Sequence, residues 1–115
     1  TINFSGDFTK IAEQSDGGVQ TIRALMMTCT RYPGIRKVKI LVDGGIRSGV
    51  DVFKALALGA DAVLIARPFV TMVYGGGQEG VQAYVDKLQA ELADTMAMCG
   101  AHSLADIDRS MLFGF

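Results

Sequence analysis

Asp43-Gly44-Gly45, with Arg47 two residues on, is followed some twenty residues later by Ala66-Arg67. Glycines without side chains let an anion approach backbone N–H groups closely. A guanidinium within reach supplies charge and two parallel N–H donors, the pattern that suits a phosphate dianion once water is displaced. Two such groups, one after each of two neighbouring strands, would make a phosphate clamp. The competing reading is a tight glycine turn whose arginines pair with surface carboxylates.

The elements that must position these residues are legible on either side. Val38 to Val42 (VKILV) is a short β-branched apolar run, and Ala62 to Ile65 (AVLI) is a second. Such near-continuous apolarity predicts strands buried on both faces, as in parallel sheets. Between them Val50, Phe53, Ala57 and Leu58 fall on one side of a helix over Val50 to Leu58, which Gly59 ends in the position where a left-handed residue is preferred. Strand, turn, helix, turn and strand occupy about 30 residues, the length of one βαβ unit. In parallel α/β folds the loops after the strand C-termini carry the site, so both glycine and arginine groups lie on the functional edge.

Upstream, Thr1 to Gly18 is polar and irregular, and Val19 to Thr30 has apolar residues three and four apart, a helix stopped by Tyr32-Pro33-Gly34. Downstream, an apolar patch from Phe69 to Tyr74 and a flexible Gly75-Gly76-Gly77 precede a long helix from Gln78 to Cys99. Its apolar face is Val81, Tyr84, Val85, Leu88, Leu92, Thr95, Met96 and Cys99. Gly100 caps it, and Ser103-Leu104-Ala105-Asp106 opens a last short helix to Leu112.

Composition narrows the function classes. The 115 residues are half apolar with a net charge of −1, which excludes a sequence-wide basic field for nucleic acid or an anionic membrane. No apolar run approaches the roughly 20 residues of a membrane helix. Cys29 and Cys99 do not form a disulfide framework, so a reducing cytoplasm and two small buried thiols are expected. The Met26-Met27 and Met96-Met98 pairs are expected to be packing residues. The single histidine, His102, lies between the last two helices, away from the glycine loops, as a cap or surface group.

Asp43 to Phe69 closely resembles the signature near the C-terminus of the FMN-dependent α-hydroxy-acid oxidoreductases, the family of glycolate oxidase and lactate oxidase. The similarity continues from Gly75 to Leu112, so the resemblance covers Val38 to about Leu112. It implies an α/β fold, a (β/α)8 barrel in which VKILV is the seventh strand and AVLI the eighth. It also implies that Asp43, Gly44, Gly45, Arg47, Ala66 and Arg67 surround the ribityl phosphate of FMN. Ala66 stands where the family usually has Gly, which leaves the backbone N–H and adds a methyl.

A second departure concerns catalysis. The family places a histidine base and a carboxylate-binding arginine just ahead of a Gln-Leu-Asp-Gly segment. Gln14-Ser15-Asp16-Gly17 resembles that segment, which puts Lys10 and Glu13 at the two positions. Lysine is protonated near neutral pH and glutamate repels a carboxylate. No catalytic residue and no metal ligand are therefore assigned.

A closed barrel of this kind takes about 250 residues, and only two strands are legible. The expectation is a divergent segment over residues 1–18 and, over 19–115, the C-terminal part of the barrel. That part would bind FMN phosphate in an enzyme oxidising 2-hydroxy acids to 2-oxo acids, and be inactive alone. Its bare edges would be covered by the remainder of the barrel or by further copies. The alternatives are another phosphate-binding barrel enzyme and a catalytically dead remnant serving as an interaction module.

Overall fold

The computed structural model describes residue 24 and residues 26–113. The chain divides between Val38 and Lys39 into two units. In the first, residues 26–30 are helical. The Thr28 and Thr30 hydroxyls donate back to the Ala24 and Met26 carbonyls at 2.7 and 2.9 Å. The helix ends as expected at Tyr32-Pro33-Gly34, where Gly34 has φ +96°.

The second unit begins with strand β1 (Leu41–Asp43), helix α1 (Gly49–Ala57) and strand β2 (Ala62–Leu64). The two strands are parallel, with Leu41 opposite Ala62, Val42 opposite Val63 and Asp43 opposite Leu64. The first strand starts three residues later than expected because Asp61 clasps the chain ahead of it. The Asp61 carboxylate accepts the Ile40 N–H at 2.8 Å, and the Asp61 N–H donates to the Ile40 carbonyl at 2.8 Å. These bonds satisfy groups that a longer ladder would have used.

Burial on both strand faces does not hold within this chain. Leu41 is 54 % and Leu64 47 % exposed, while the alternate residues Val42 and Val63 are half-buried. Side chains alternate along a strand, and α1, packed against β2, covers only one face.

Ser48 opens α1 with a reciprocal cap. Its hydroxyl accepts the Asp51 N–H at 3.2 Å, while the Asp51 carboxylate accepts the Ser48 N–H at 3.0 Å. Leu58 is the C-cap, and Gly59 follows at φ +101°. Phe53, 2 % exposed, is the centre of a small core with Ala57, Ala101 and Ile107, edged by Leu56, Leu92, Met96, Met111 and Leu112.

Helix α2 (Arg67–Cys99) starts well ahead of Gln78, taking in the apolar patch and Gly75-Gly76. Pro68 in its first turn lacks an N–H that would have had no partner there, so it starts the helix rather than blocking it. Gly77, at φ 53° and ψ −135°, interrupts the helix in a conformation open only to glycine. The chain reverses there. Phe69 and Tyr84 would stand about 22 Å apart on a straight helix, yet their ring centroids are 5.1 Å apart.

Gly100 ends α2 at φ 77°. The expected final helix is two 3-10 turns, Leu104–Asp106 and Arg109–Met111. Ile107 between them takes extended backbone at φ −71°, ψ 118°, and its side chain enters the core. Of the residues expected to pack inside, Cys99 is exposed, Met26, Met27 and Met98 are 40, 64 and 88 % exposed, and Cys29 is half-buried. On α2, Met98 and Cys99 lie in the last turn, off the stripe of Tyr84, Leu88, Leu92 and Met96 that faces inward. Val85 is likewise 40 % exposed.

Candidate functional site

At the C-terminal ends of the parallel strands, Asp43, Gly44, Gly45, Arg47, Ala66 and Arg67 line one cleft of about 300 Å³. The six residues that the sequence pointed to for a phosphate thus line one cleft. Pro68 and Thr71 extend the lining along α2. Gly44 and Gly45 have φ values of +100° and +79°, and a Cβ at either would meet nothing within 4 Å. Glycine is needed here for backbone conformation rather than for room, and the open space in front of both is the cleft.

The two helix N-termini at this rim differ. That of α1 is closed: the Asp51 carboxylate takes the N–H groups of Arg47 and Ser48, both at 3.0 Å, and the Ser48 hydroxyl at 2.9 Å. Burial pushes the Asp51 carboxyl up, but these bonds and the Lys54 charge outweigh it and hold the group below its ordinary value. Asp51 therefore stays charged, and Arg47 can offer the cleft its guanidinium but not its N–H. The start of α2 is open, since Ala66 provides no side-chain cap. Among the described residues no turn, loop or cap hydrogen bond takes the N–H groups of Gly45, Ala66 or Arg67. An uncapped helix start carries partial positive charge and favours an anion.

Neither arginine has a carboxylate partner among the described residues, where the one ion pair is Lys87 with Glu91 at 2.6 Å. His102 is exposed and its backbone N–H donates to the Asp106 carboxylate at 3.1 Å, which makes it part of the turn after α2 and not of the cleft. Lys10 and Glu13 lie outside the described residues.

Three supporting residues escaped the sequence reading. The Tyr84 hydroxyl donates to the Arg47 carbonyl at 2.9 Å, and its ring meets Phe69 edge-on at 82°. Burial pushes the Tyr84 phenol up, opposed by Lys87 and aided by Glu91 and Asp51, so it remains a donor at neutral pH. Glu91 accepts the Gly49 N–H at 2.8 Å, and the hydrogen bonds from Lys87 and Gly49 hold its carboxyl below its ordinary value. Asp51 could have been found from Ser48-Gly49-Val50-Asp51, the same Ser-x-x-Asp pattern recognised at Ser103. Nothing in local sequence marks Tyr84 or Glu91, whose partners are 37 and 42 residues away.

The profile of the FMN-dependent dehydrogenase family matches residues 12–113. This chain belongs to that family. FMN is the cofactor of the FMN-dependent dehydrogenases, and the match begins far upstream of Val38, where the resemblance was expected to start. The chain is 46 % identical over 99 residues to an L-lactate oxidase of Nostoc sp., covering 86 % of this chain and 27 % of the relative. It is 43 % identical to an L-lactate dehydrogenase of Xanthomonas axonopodis pv. citri (86 % and 25 %) and 42 % identical to a peroxisomal (S)-2-hydroxyacid oxidase of Arabidopsis thaliana (86 % and 27 %). The chain therefore spans about a quarter of the length of these relatives.

Among solved structures, a mandelate oxidase with benzoyl-formic acid is similar at TM-score 0.65 and 37 % identity, over 80 % of this chain and 26 % of that one. A flavocytochrome b2 variant with sulfite bound is similar at TM-score 0.67 and 30 % identity, over 86 % and 26 %. The chain is thus a partial α/β arrangement whose two parallel strands are consistent with part of a barrel. Among the described residues no helix is long and apolar enough to cross a membrane.

Proposed function

We propose that Asp43, Gly44, Gly45, Arg47, Ala66 and Arg67 hold the phosphate end of FMN in an oxidoreductase that converts a 2-hydroxy acid to a 2-oxo acid. In this reading β1 and β2 are the seventh and eighth strands of a (β/α)8 barrel, whose last two strand loops commonly form a phosphate site. One observation carries the proposal: Arg47, Arg67, the Gly44-Gly45 pair and an uncapped helix start line a single cleft.

The donor set fits a phosphate ester. The N–H groups of Gly44, Gly45, Ala66 and Arg67 donate to phosphate oxygens, and Arg47 and Arg67 neutralise the dianion from two sides. Asp43 repels phosphate and instead accepts hydrogen bonds from the neighbouring ribityl hydroxyls, which fixes which end of the chain enters first. When bound, the flavin supplies two-electron redox chemistry, and the protein supplies position and electrostatics. His102, the one histidine of the chain, lies away from the cleft, and Asp43 would be taken up by the cofactor's hydroxyls if FMN is bound as proposed. The chain alone is accordingly proposed to bind flavin without turnover.

Exposed apolar side chains favour a compatible second reading in which these faces are interaction surfaces. Leu41, Leu64, Val70 and Val73 are 54, 47, 67 and 58 % exposed, and covering them would require further barrel or another copy.

Flavin titration followed by fluorescence quenching tests the main reading. FMN is expected to bind about 100-fold more tightly than riboflavin, which lacks only the phosphate, because each charge-assisted bond contributes roughly 1.5–3 kcal/mol. Equal affinities for the two would overturn it.

A further inference from the structure

We propose that Tyr84 is a positioning residue for the phosphate site, a single side chain whose hydroxyl holds the Arg47 peptide and whose ring holds the first turn of α2. The inference rests on the phosphate reading above and deepens it. Arg47 stands on the loop after β1 and Arg67 at the start of α2, and a bidentate grip on one small dianion requires their spacing to be set to within a fraction of an ångström. Beyond the β1–β2 ladder, which ends at Asp43 and Leu64, no backbone hydrogen bond among the described residues runs between the two segments. Tyr84 reaches both.

On one side its hydroxyl donates to the Arg47 carbonyl at 2.9 Å, while Asp51 takes the Arg47 N–H at 3.0 Å. Both polar groups of the Arg47 backbone are thereby pinned, and the guanidinium is left for the cleft. On the other side the Tyr84 ring meets Phe69, two residues beyond Arg67, edge-on with centroids 5.1 Å apart. Tyr84 is only 6 % exposed, so its ring is held firmly enough to act as a spacer. The reversal at Gly77 is what brings Tyr84 back to this point, which gives the glycine break a purpose that the cleft residues alone do not.

Tyr84→Phe in the full chain removes the hydroxyl and keeps the ring. FMN affinity is expected to fall about fivefold, the ordinary worth of one hydrogen bond, while riboflavin affinity is unchanged. In the Arg47→Ala background the same substitution is expected to have no further effect, because the hydroxyl acts through Arg47. The proposal is overturned if Tyr84→Phe leaves FMN affinity intact, weakens FMN and riboflavin equally, or acts with full strength without Arg47. Failure of the phosphate reading itself looks different: Arg47→Ala would then leave FMN affinity untouched.

Discussion

Alanine at both Arg47 and Arg67 is expected to weaken FMN binding by about two orders of magnitude, with riboflavin affinity unchanged. Each guanidinium offers charge-assisted hydrogen bonds worth roughly 1.5–3 kcal/mol, and 1.4 kcal/mol is a factor of ten. Both arginines are exposed in this chain, so water and salt screen them and the lower end applies. Each single substitution should then cost about tenfold. Lysine at either position should restore part of the loss, since it returns the charge but not the planar pair of donors. The ratio of FMN to riboflavin affinity is the readout, because general damage to the fold moves both ligands together.

The second large effect concerns stability, at a residue that touches no ligand. Gly49→Ala is expected to destabilise the Lys39–Phe115 unit by roughly 3 kcal/mol or more, as an overpacked contact that cannot relax. A Cβ there would collide with the Leu92 nitrogen and stand 2.6 Å from the Leu88 carbonyl oxygen, and these are backbone atoms of α2 that have no rotamer to change. The helices would separate, taking with them the bond from Gly49 to Glu91 at 2.8 Å. Because Arg47 lies two residues before this contact, FMN affinity should decline along with the urea midpoint. Gly44, whose Cβ would meet nothing within 4 Å, has only its backbone conformation to lose. A fall in midpoint at Gly49→Ala no larger than at Gly44→Ala would count against close helix packing as the source.

The contrast between these two glycines shows which features a sequence can carry. Gly44 and Gly45 announce a turn after the apolar run, and the second arginine at the matching place after AVLI is what favours a phosphate site over a plain turn. The convergence of Arg47 and Arg67 follows equally from strand and helix spacing, since parallel strands joined by one helix must present their following loops on the same edge. Gly49 gives no such sign, for what it accommodates is a backbone 39 to 43 residues away along the chain. Tyr84 was legible as an apolar-face residue, but its hydroxyl bond to Arg47 exists only because Gly77 turns α2 back on itself. The start of β1 moved for a related reason. Val38 to Val42 is a good strand by composition, yet Asp61 captures Ile40 and shortens the ladder. Packing expectations for Met98 and Cys99 failed because apolar residues in a last turn need not fall on the helix's inward stripe.

A crystal structure of the chain grown with FMN is the most direct test of the phosphate site. The phosphate is expected in the cleft at the ends of β1 and β2, with oxygens about 3 Å from the Gly44 or Gly45 nitrogen and from both the Arg47 and Arg67 guanidinium groups. Flavin bound with its phosphate outside that cleft, or gripped by neither arginine, would contradict it.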